Sequence, residues 1–341
     1  MTWTDMDVHF VPPQDTLIDA RHHAEAAAGN ARTAAEASGV LLNAMSGESD
    51  IQRILLKAAA GAGKSYVLKK LVADAVNHPR CVRVAVIAFQ NRQLWPLAAD
   101  LGSVLGKDQV CLFVSAKRYD DVPEDVHESA IVVTTTSAIP DDIRVVVSTS
   151  HKLGAIGELN RMQTHFGVAA NGEHVFDALF VDEAWQLPHH LFDKVSRAAP
   201  VVVGVGDVGQ LPPLEIGANP WRGDPGYNPY RAWPTEHESR EGTWAAELPA
   251  VWRPTAEQLP LWRAFYPEWG ELNSVAQPGD RHVDTRNIDG LAGAVWTQVG
   301  TGTPTLLEVD GLPDPEAPDV DLPLMQFVEQ LVDGLFRTGF V

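Results

Sequence analysis

A loop of small residues with one lysine and one serine is the stretch of this chain best suited to chemistry. Residues 58–65 read Ala-Ala-Ala-Gly-Ala-Gly-Lys-Ser, after the apolar run 54–56 and before a predicted helix that opens with Tyr66. The order of strand, small-residue loop, Gly-Lys-Ser and helix is the context that a phosphate-binding P-loop requires. Glycines adopt backbone angles closed to other residues, so successive N–H groups can point into one concavity.

The loop and the helix after it together predict a nucleotide site. The free N–H groups at the start of the helix and the positive end of its dipole favour phosphate. Lys64 would reach the β- and γ-phosphates, and the Ser65 hydroxyl would coordinate Mg²⁺. The alternative is an Ala/Gly-rich turn before an ordinary helix, and the flanking segments favour the site. The predicted nucleotide-binding residues are Ala60, Gly61, Ala62, Gly63, Lys64, Ser65 and Tyr66.

Two adjacent carboxylates end a second apolar segment, residues 176–185. Asp182, at the tip of this predicted strand, can hold Mg²⁺ directly or through water, opposite Ser65. Glu183 faces a different direction and could polarise the attacking water as a general base. The alternative is a strand that merely ends in solvated acidic residues.

A third polar loop follows the apolar run that begins at Val201. Its Gln210 carries both a donor and an acceptor, so it could bond a γ-phosphate or the lytic water and release it after hydrolysis. Pro212 and Pro213 restrict how the loop can move. The structural alternative is a turn followed by a stiff connection.

The elements that must position these loops are strands and helices in alternation. Residues 82–88 form a continuous apolar run, as expected of a parallel strand buried on both faces. Alternation of this kind predicts an α/β fold, with a mostly parallel sheet flanked by helices and ligands at the carboxyl ends of the strands. The other predicted strands are 110–115, 130–135, 143–148, 179–182, 201–204 and 305–309, and helices are predicted within 14–45, 91–105 and 325–336.

Composition limits the cellular compartment and the kinds of binding partner that the sequence predicts. The 341 residues include no apolar run near the ~20 residues of a membrane span, and the N-terminus lacks the features of a signal peptide. Cys81 and Cys111 are predicted to be buried thiols in a reducing cytoplasm. The net charge of −19 argues against a nonspecific nucleic-acid coat but leaves room for a narrow strand-binding groove in the more basic first half.

In combination, the motifs resemble those of superfamily 1 helicases, over roughly residues 50–255 and nearest to the Upf-like and Dna-like branch. Residues 206–213 (Gly-Asp-x-x-Gln-Leu-Pro-Pro) resemble motif III, 58–65 motif I, 182–185 motif II, 88–91 the position of motif Ia, 145–150 the next nucleic-acid motif, and 248–253 the segment that opens motif IV. Ala58 stands where the motif has its first glycine. The adenine-reading glutamine motif of the family has no clear counterpart upstream.

The resemblance implies a RecA-like P-loop motor domain that binds ATP–Mg²⁺ and one face of single-stranded DNA or RNA. Carried over by position, Glu183 would act on water, Gln210 would couple the γ-phosphate to the strand, and Arg253 would stabilise charge at the γ-phosphate. A surface arginine beside a buried Trp252 is the alternative for Arg253. Gln90, Asn91, Thr149 and Ser150 would contact the sugar–phosphate backbone. Trp185 or Trp95 could stack on a base, although core packing is the commoner fate of a tryptophan.

Nothing after Arg253 resembles the second RecA-like domain of such helicases, whose arginines complete the charge stabilisation in this family. The resemblance therefore implies a second RecA-like domain as a partner, in cis or in trans, and weak hydrolysis without unwinding by this chain alone. The predicted divisions are an N-terminal helical segment (1–50), the ATPase domain (51–270), a connector (271–322) and the incomplete start of a second domain (323–341). The alternative function is a P-loop ATPase that switches a protein partner without binding nucleic acid.

Overall fold

The computed structural model describes residues 7–11, 23–170, 172–213, 220, 228–276, 286–302, 304–318 and 320–336. Residues 1–6, 12–22 and 337–341, which belong to the predicted terminal segments, lie outside the described residues. The chain divides into two compact units. One is Ala27–Val251, and the other combines Met1–Ala26 with Trp252–Val341.

Helices and strands alternate along the chain. The helices are α1 (His23–Ser46), α2 (Lys64–Val76), α3 (Asn91–Leu105), α4 (Glu124–Ser129), α5 (Ser150–Leu153), α6 (Glu158–Phe166), α7 (His189–Phe192), α8 (Leu259–Phe265), α9 (Gly290–Val299) and α10 (Leu322–Phe336). The strands are β1 (Asp7–Val11), β2 (Arg53–Lys57), β3 (Val84–Ala88), β4 (Val110–Phe113), β5 (Ile131–Val133), β6 (Val145–Thr149), β7 (Ala178–Asp182), β8 (Val201–Gly206), β9 (Thr243–Glu247), β10 (Ala250–Val251), β11 (Asn273–Ser274) and β12 (Leu306–Asp310).

An eight-stranded parallel sheet forms the centre of the larger unit, in the order β5-β4-β6-β3-β7-β8-β2-β9. Every residue of β3, β6, β7 and β8 is buried, because helices cover both faces of a parallel sheet. The predicted α/β fold with a mostly parallel sheet flanked by helices is confirmed. All the carboxyl ends of its strands meet at one edge, which is where β2, β7 and β8 deliver the three polar loops.

The predicted strands are present, with ends that shift by at most two residues. The edge strand β9 was missed, because it is half-exposed and three of its five residues, Ala-Ala-Glu, have little strand propensity. Its position is set by parallel pairing with β2, in which Thr243 lies opposite Arg53. Tertiary pairing therefore decides this strand rather than local sequence.

The larger unit begins earlier and ends earlier than the predicted ATPase domain of residues 51–270. It includes most of α1, which the sequence had assigned to a separate N-terminal segment. The reason is Asn30, whose buried side chain bonds to backbone 32 and 220 residues away. The division of the chain into functional domains stays a prediction.

The core of the larger unit contains aromatic side chains as well as aliphatic ones. Trp233 is fully buried and stacks on Phe192 with ring centroids 4.0 Å apart. Cys81 and Cys111 are free and buried, which confirms that part of the prediction made for these two thiols. In the described part of the chain, no helix has the length and apolar character needed to cross a membrane.

The smaller unit has its own pairing and core. Strands β1 and β12 pair antiparallel, with Asp7 opposite Asp310. Helices α9 and α10 pack through a cluster centred on Val295, Phe327 and Leu331. The predicted strand at 305–309 and the predicted helix at 325–336 are both present. The predicted connector, residues 271–322, contains α9 and β12, and its role as a connector stays a prediction.

Candidate nucleotide-binding site

The loop between β2 and α2 has the backbone conformation that its glycines predict. Gly61 and Gly63 have φ of 84° and 88°, in the left-handed region that favours glycine. Gly63 immediately precedes α2, which begins at Lys64. The N–H of Ala58 donates to the carbonyl oxygen of Gly206 at 2.9 Å, so the start of the loop is fixed to the end of β8. The loop therefore presents the N-terminus of α2 at the carboxyl edge of the sheet.

Asn30 of α1 supports this loop from behind. Its Nδ2 donates to the carbonyl oxygens of Ala62 at 3.1 Å and of Ala250 at 2.8 Å. Its Oδ1 accepts the N–H of Ala250 at 2.9 Å. The loop backbone, α1 and the segment after β9 are therefore joined through one buried amide. Sequence reasoning missed Asn30, because a single asparagine in an Ala-rich helix gives no signal of backbone partners so far along the chain.

Lys64 and Glu183 form an ion pair that joins the first motif to the second. Both side chains are largely buried, and Oε2 of Glu183 is buried without a hydrogen-bond partner among the described residues. Glu183 has a φ of 51°, which makes it the one non-glycine residue with positive φ in the described part of the chain. Backbone strain of this kind clusters at functional sites. The strained turn aims the Glu183 carboxylate at the P-loop lysine.

Asp182, the last residue of β7, is nearly fully buried, and its Oδ1 accepts the N–H of Glu183 at 3.0 Å. Burial raises the pKa of Asp182 to about 6, although the Lys64 ammonium opposes the shift. Among the described residues, no three His, Cys, Asp or Glu side chains gather to hold a metal. Mg²⁺ usually binds one or two carboxylates together with substrate phosphates. Asp182 and the hydroxyl of Ser65 fit that donor set.

The third loop is tied to the second through side-chain amides. Gln186 Nε2 donates to Gln210 Oε1, and Gln210 Nε2 donates to Asp207 Oδ2 at 3.2 Å. The N–H of Gln186 donates to the carbonyl oxygen of Glu183 at 2.8 Å, which places Gln186 on the same short turn as Glu183. The three predicted loops therefore converge. Sequence reasoning missed Gln186, although a glutamine three residues beyond Glu183 was an available signal.

Two glycines in β8 allow the turn after β7 to approach so closely. A Cβ on Gly206 would lie 2.8 Å from both the backbone nitrogen of Ala184 and Cε3 of Trp185. A Cβ on Gly204 would lie 2.8 Å from Trp233. Trp185 is buried and packs in the hydrophobic core. Core packing was the commoner of the two alternatives for this tryptophan.

Gln90 and Asn91 lie at the carboxyl end of β3, where α3 begins. They border an open pocket of about 710 Å³. The indole nitrogen of Trp95 is buried there without a hydrogen-bond partner in the described part of the structure. The pocket is lined by Phe89, Gln90, Asn91, Arg92, Trp95, Arg118 and Asp121.

Thr149 and Ser150 have a different setting from Gln90 and Asn91. Thr149 caps α5, because its hydroxyl oxygen accepts the N–H of Lys152 at 3.1 Å. Ser150 is 1% exposed. Neither hydroxyl faces an open surface, so a strand contact by these two residues stays a prediction.

Ser65 and Tyr66 are exposed at the start of α2, next to the loop. Arg253 is also exposed and belongs to the smaller unit. Its contact with a γ-phosphate stays a prediction. Trp252, expected to be buried beside it, is 47% exposed, so that part of the alternative is wrong.

Residues 18–203 match the protein family described as "Type III restriction enzyme, res subunit". The match covers more than half of the chain, and the chain belongs to this family. The helicase-type RecA-like motor class predicted from the motifs is thereby confirmed. Membership in superfamily 1, and in its Upf-like and Dna-like branch, stays a prediction. A search of curated proteins found no match.

Solved helicase structures are similar to this chain at low identity. The PRRSV helicase is 15% identical, with 70% of this chain and 38% of that chain covered and a TM-score of 0.36. Arterivirus nonstructural protein 10 (helicase), solved with DNA, is 15% identical, with 68% and 43% covered and a TM-score of 0.39. The Type ISP restriction-modification enzyme LlaGI, solved with a DNA substrate mimic, is 17% identical, with 54% and 18% covered and a TM-score of 0.38. This chain thus spans less than half the length of each.

Proposed function

We propose that this chain is the ATP-binding and ATP-hydrolysing motor domain of a helicase that acts on single-stranded DNA or RNA. The observation that carries the proposal is the ion pair between Lys64 and Glu183, which joins the P-loop to the end of β7. Gln210 is bonded to the same turn through Gln186. A lysine, a carboxylate and an amide from three loops are the groups that phosphate binding and water activation require.

The proposed roles follow from the partners that each side chain has. When ATP binds, the Lys64 ammonium leaves the Glu183 carboxylate and contacts oxygens of the β- and γ-phosphates instead. Glu183 is then free to accept a proton from the attacking water. With a pKa of about 6, Asp182 is mostly ionised at neutral pH and suited to a cation. Mg²⁺ held by Ser65 and Asp182 would supply charge neutralisation at the phosphates.

The proposed strand site is the pocket at the start of α3. Gln90 and Asn91 offer amides to a sugar–phosphate backbone, and Arg92 adds positive charge at the same pocket, where Arg118 is paired with Asp121 at 2.9 Å. Trp95 lines this pocket and is the tryptophan suited to stacking on a base. The net charge of −19 favours binding confined to such a local site over a broad electrostatic surface.

The proposal includes a second RecA-like domain, in cis or in trans, that completes the site. The described residues contain one sheet of more than two strands, and it is the one that carries the P-loop. Hydrolysis by this chain alone is therefore expected to be weak. A reducing cytoplasmic setting also belongs to the proposal, and the free buried thiols Cys81 and Cys111 support it.

The test uses the whole chain with a fluorescent, non-hydrolysable ATP analogue and Mg²⁺, and with labelled single-stranded DNA and RNA oligonucleotides. Fluorescence anisotropy should detect binding of the analogue and of an oligonucleotide. In a separate assay with ATP and Mg²⁺, phosphate release should be slow. Failure to bind the analogue would overturn the proposal. Binding of the analogue without any oligonucleotide would favour the alternative, a P-loop ATPase that switches a protein partner.

A further inference from the structure

We infer that Gln186 is a positioning residue that couples the strand pocket to the nucleotide site through a chain of glutamine amides. This inference rests on the proposed function, because it requires both sites to bind their ligands. The helicase motifs assign the link between the two sites to Gln210 alone, and the inference adds Gln186 and Gln93 to it. Gln186 and Gln93, the two inner members of the chain, lie outside every residue set predicted from the motifs.

The amide chain is continuous from the start of α3 to the loop after β8. The N–H of Gln90 donates to Gln93 Oε1 at 3.0 Å. Gln93 Nε2 donates to Gln186 Oε1 at 3.3 Å, and Gln186 Nε2 donates to Gln210 Oε1. Gln210 Nε2 then donates to Asp207 Oδ2 at 3.2 Å. Three side-chain amides therefore link three separate loops.

The chain has one direction. Each amide accepts through its oxygen and donates through its nitrogen, and the last donor meets the carboxylate of buried Asp207. Reversing any one amide would bring two donors or two acceptors together. Hydrogen bonds arranged head to tail polarise and strengthen one another. The orientation of each glutamine is therefore set by its neighbours in the chain.

The two ends of the chain lie at the two proposed binding sites. Gln90 lines the pocket with Arg92 and Trp95. Gln210 is the residue expected to bond a γ-phosphate, and it must release Gln186 Nε2 or turn its amide to do so. Gln186 is anchored through its N–H to the carbonyl oxygen of Glu183. A movement of the Gln210 amide on phosphate binding therefore alters the hydrogen bonds of Gln186 and Gln93, and through them the start of α3.

A purely structural role for Gln186 makes a different prediction. A structural pin would alter the free energy of unfolding but would leave the effect of nucleotide on strand affinity unchanged. A coupling residue would change that effect while the two separate affinities stay nearly constant. The discriminating quantity is the ratio of oligonucleotide Kd values without and with the ATP analogue. By linkage, the oligonucleotide changes the affinity for the analogue by the same factor.

The experiment measures this ratio by anisotropy, with a labelled oligothymidylate and the non-hydrolysable analogue plus Mg²⁺. For the unmodified chain we expect a ratio that differs from one by about fivefold or more, at the lower end of typical coupling. Gln186→Leu and Gln93→Leu should each bring the ratio close to one. The double variant should lose nothing further, because both substitutions break the same link.

A conservative variant and a control complete the design. Gln186→Glu keeps an acceptor for Gln93 but has no donor for Gln210, so it should lose the coupling as well. Gln163→Leu replaces an exposed glutamine of α6 and should keep the ratio of the unmodified chain. Circular dichroism and a urea midpoint confirm that each variant is folded. Gln93→Leu alters a half-exposed side chain and provides the test should Gln186→Leu unfold.

The outcomes separate this inference from the function beneath it. If the unmodified chain binds both ligands without coupling, or if Gln186→Leu and Gln93→Leu both keep the original ratio, the amide chain is not the link, and the proposed function stands. If the unmodified chain binds neither ligand, the proposed function itself fails. Loss of the ratio in both leucine variants, with it kept in Gln163→Leu, supports the inference.

Discussion

Lys64 at the start of α2 and Glu183 at the end of β7 form an ion pair, with side chains that are 16% and 15% exposed. Each residue is 119 positions from the other in sequence, so the pair exists because of the fold. It brings a cation suited to phosphate against a carboxylate suited to water activation. Five predictions concern this site and the packing of the unit that carries it.

Replacing Lys64 by alanine should weaken binding of the Mg²⁺–ATP analogue by about 10- to 100-fold. A hydrogen bond to a charged group is worth about 1.5–3 kcal/mol, and Lys64 is the cation that the P-loop presents. A fluorescent-analogue titration measures the change. Lys69→Ala is the control, since Lys69 lies on the same helix but pairs with Asp100 at the surface. Equal affinities for Lys64→Ala and the unmodified chain would refute the assignment.

Replacing Glu183 by glutamine should lower hydrolysis while the analogue still binds. A positioned general base contributes about 10²- to 10⁴-fold to a rate, and glutamine cannot accept the proton of water. Single-turnover phosphate release measures the loss even when the basal rate is low. Glu128→Gln, at an exposed position of α4, should leave the rate unchanged. A rate within about twofold of the original in Glu183→Gln would exclude the base role, since it falls far short of that loss.

Replacing Asn30 by alanine should destabilise the larger unit by about 3 kcal/mol or more. The change leaves the buried carbonyl of Ala62 and both backbone groups of Ala250 without their partner, and each such group costs about 1–3 kcal/mol. Urea unfolding followed by circular dichroism measures the difference. Asn43→Ala, on the exposed side of the same helix, is the matched substitution and should stay within about 0.5 kcal/mol.

Adding one methyl group at Gly206 and at Gly39 should have opposite effects. Gly206→Ala forces the turn at Ala184 and Trp185 away from β8, at a cost of about 1–3 kcal/mol. Gly39 lies inside α1 with nothing within 4 Å of an added Cβ, so Gly39→Ala should stabilise by up to about 1 kcal/mol. Unfolding midpoints test both. A Gly206→Ala variant as stable as the parent would contradict the close approach seen here.

His237 should make stability fall as the solution is acidified. Burial is the main reason why the pKa of His237 lies at about 4 instead of 6.5, and Arg53, Arg240 and His189 lower it further, while Asp193 raises it. Between these two pH values the unfolded chain binds a proton that the folded chain does not. The contribution is therefore fully present above about pH 6.5 and is lost as pH falls towards 4.

A substitution isolates this contribution from that of the carboxylates. His237→Phe keeps a ring against His189 and Trp233 but has no proton to gain. Between pH 6.5 and 4, its free energy of unfolding should fall less steeply than that of the unmodified chain. His127→Phe, on α4, should follow the unmodified chain. Parallel pH profiles for His237→Phe and the unmodified chain would rule out the effect.

The central part of the fold was predictable because its signals are local. Residues 201–206 are apolar throughout, and a buried parallel strand demands that pattern. Gly61 and Gly63 predict a left-handed backbone conformation, and both residues have positive φ in the structure. Strand β9 lacked such a signal, since pairing with β2 decides its existence. Local sequence therefore predicts buried strands and glycine turns better than an exposed edge.

The charged and amide side chains of the site were predictable from the sequence, and the residues that support them were less so. Lys64, Glu183 and Gln210 converge as the motifs predicted, whereas the amide of Asn30 bonds to backbone groups that any residue would offer. The sequence also left out the structural role of Thr149, whose hydroxyl caps α5, and its contact with a nucleic-acid strand stays a prediction. A side chain that bonds to backbone groups far along the chain gives no sequence pattern that predicts its partners.

The hydrogen bonds between Asn30 and Ala250 have a consequence for folding during synthesis on the ribosome. The two residues are 220 positions apart, so at about 5–20 residues per second the ribosome adds Ala250 roughly 10 to 45 s after Asn30. Contacts of such long range close late in folding. During that interval the P-loop lacks both its support through Asn30 and its neighbour β9. A nascent chain released before residue 250 therefore lacks this support of the loop, and chaperones would meet an open sheet edge at β2.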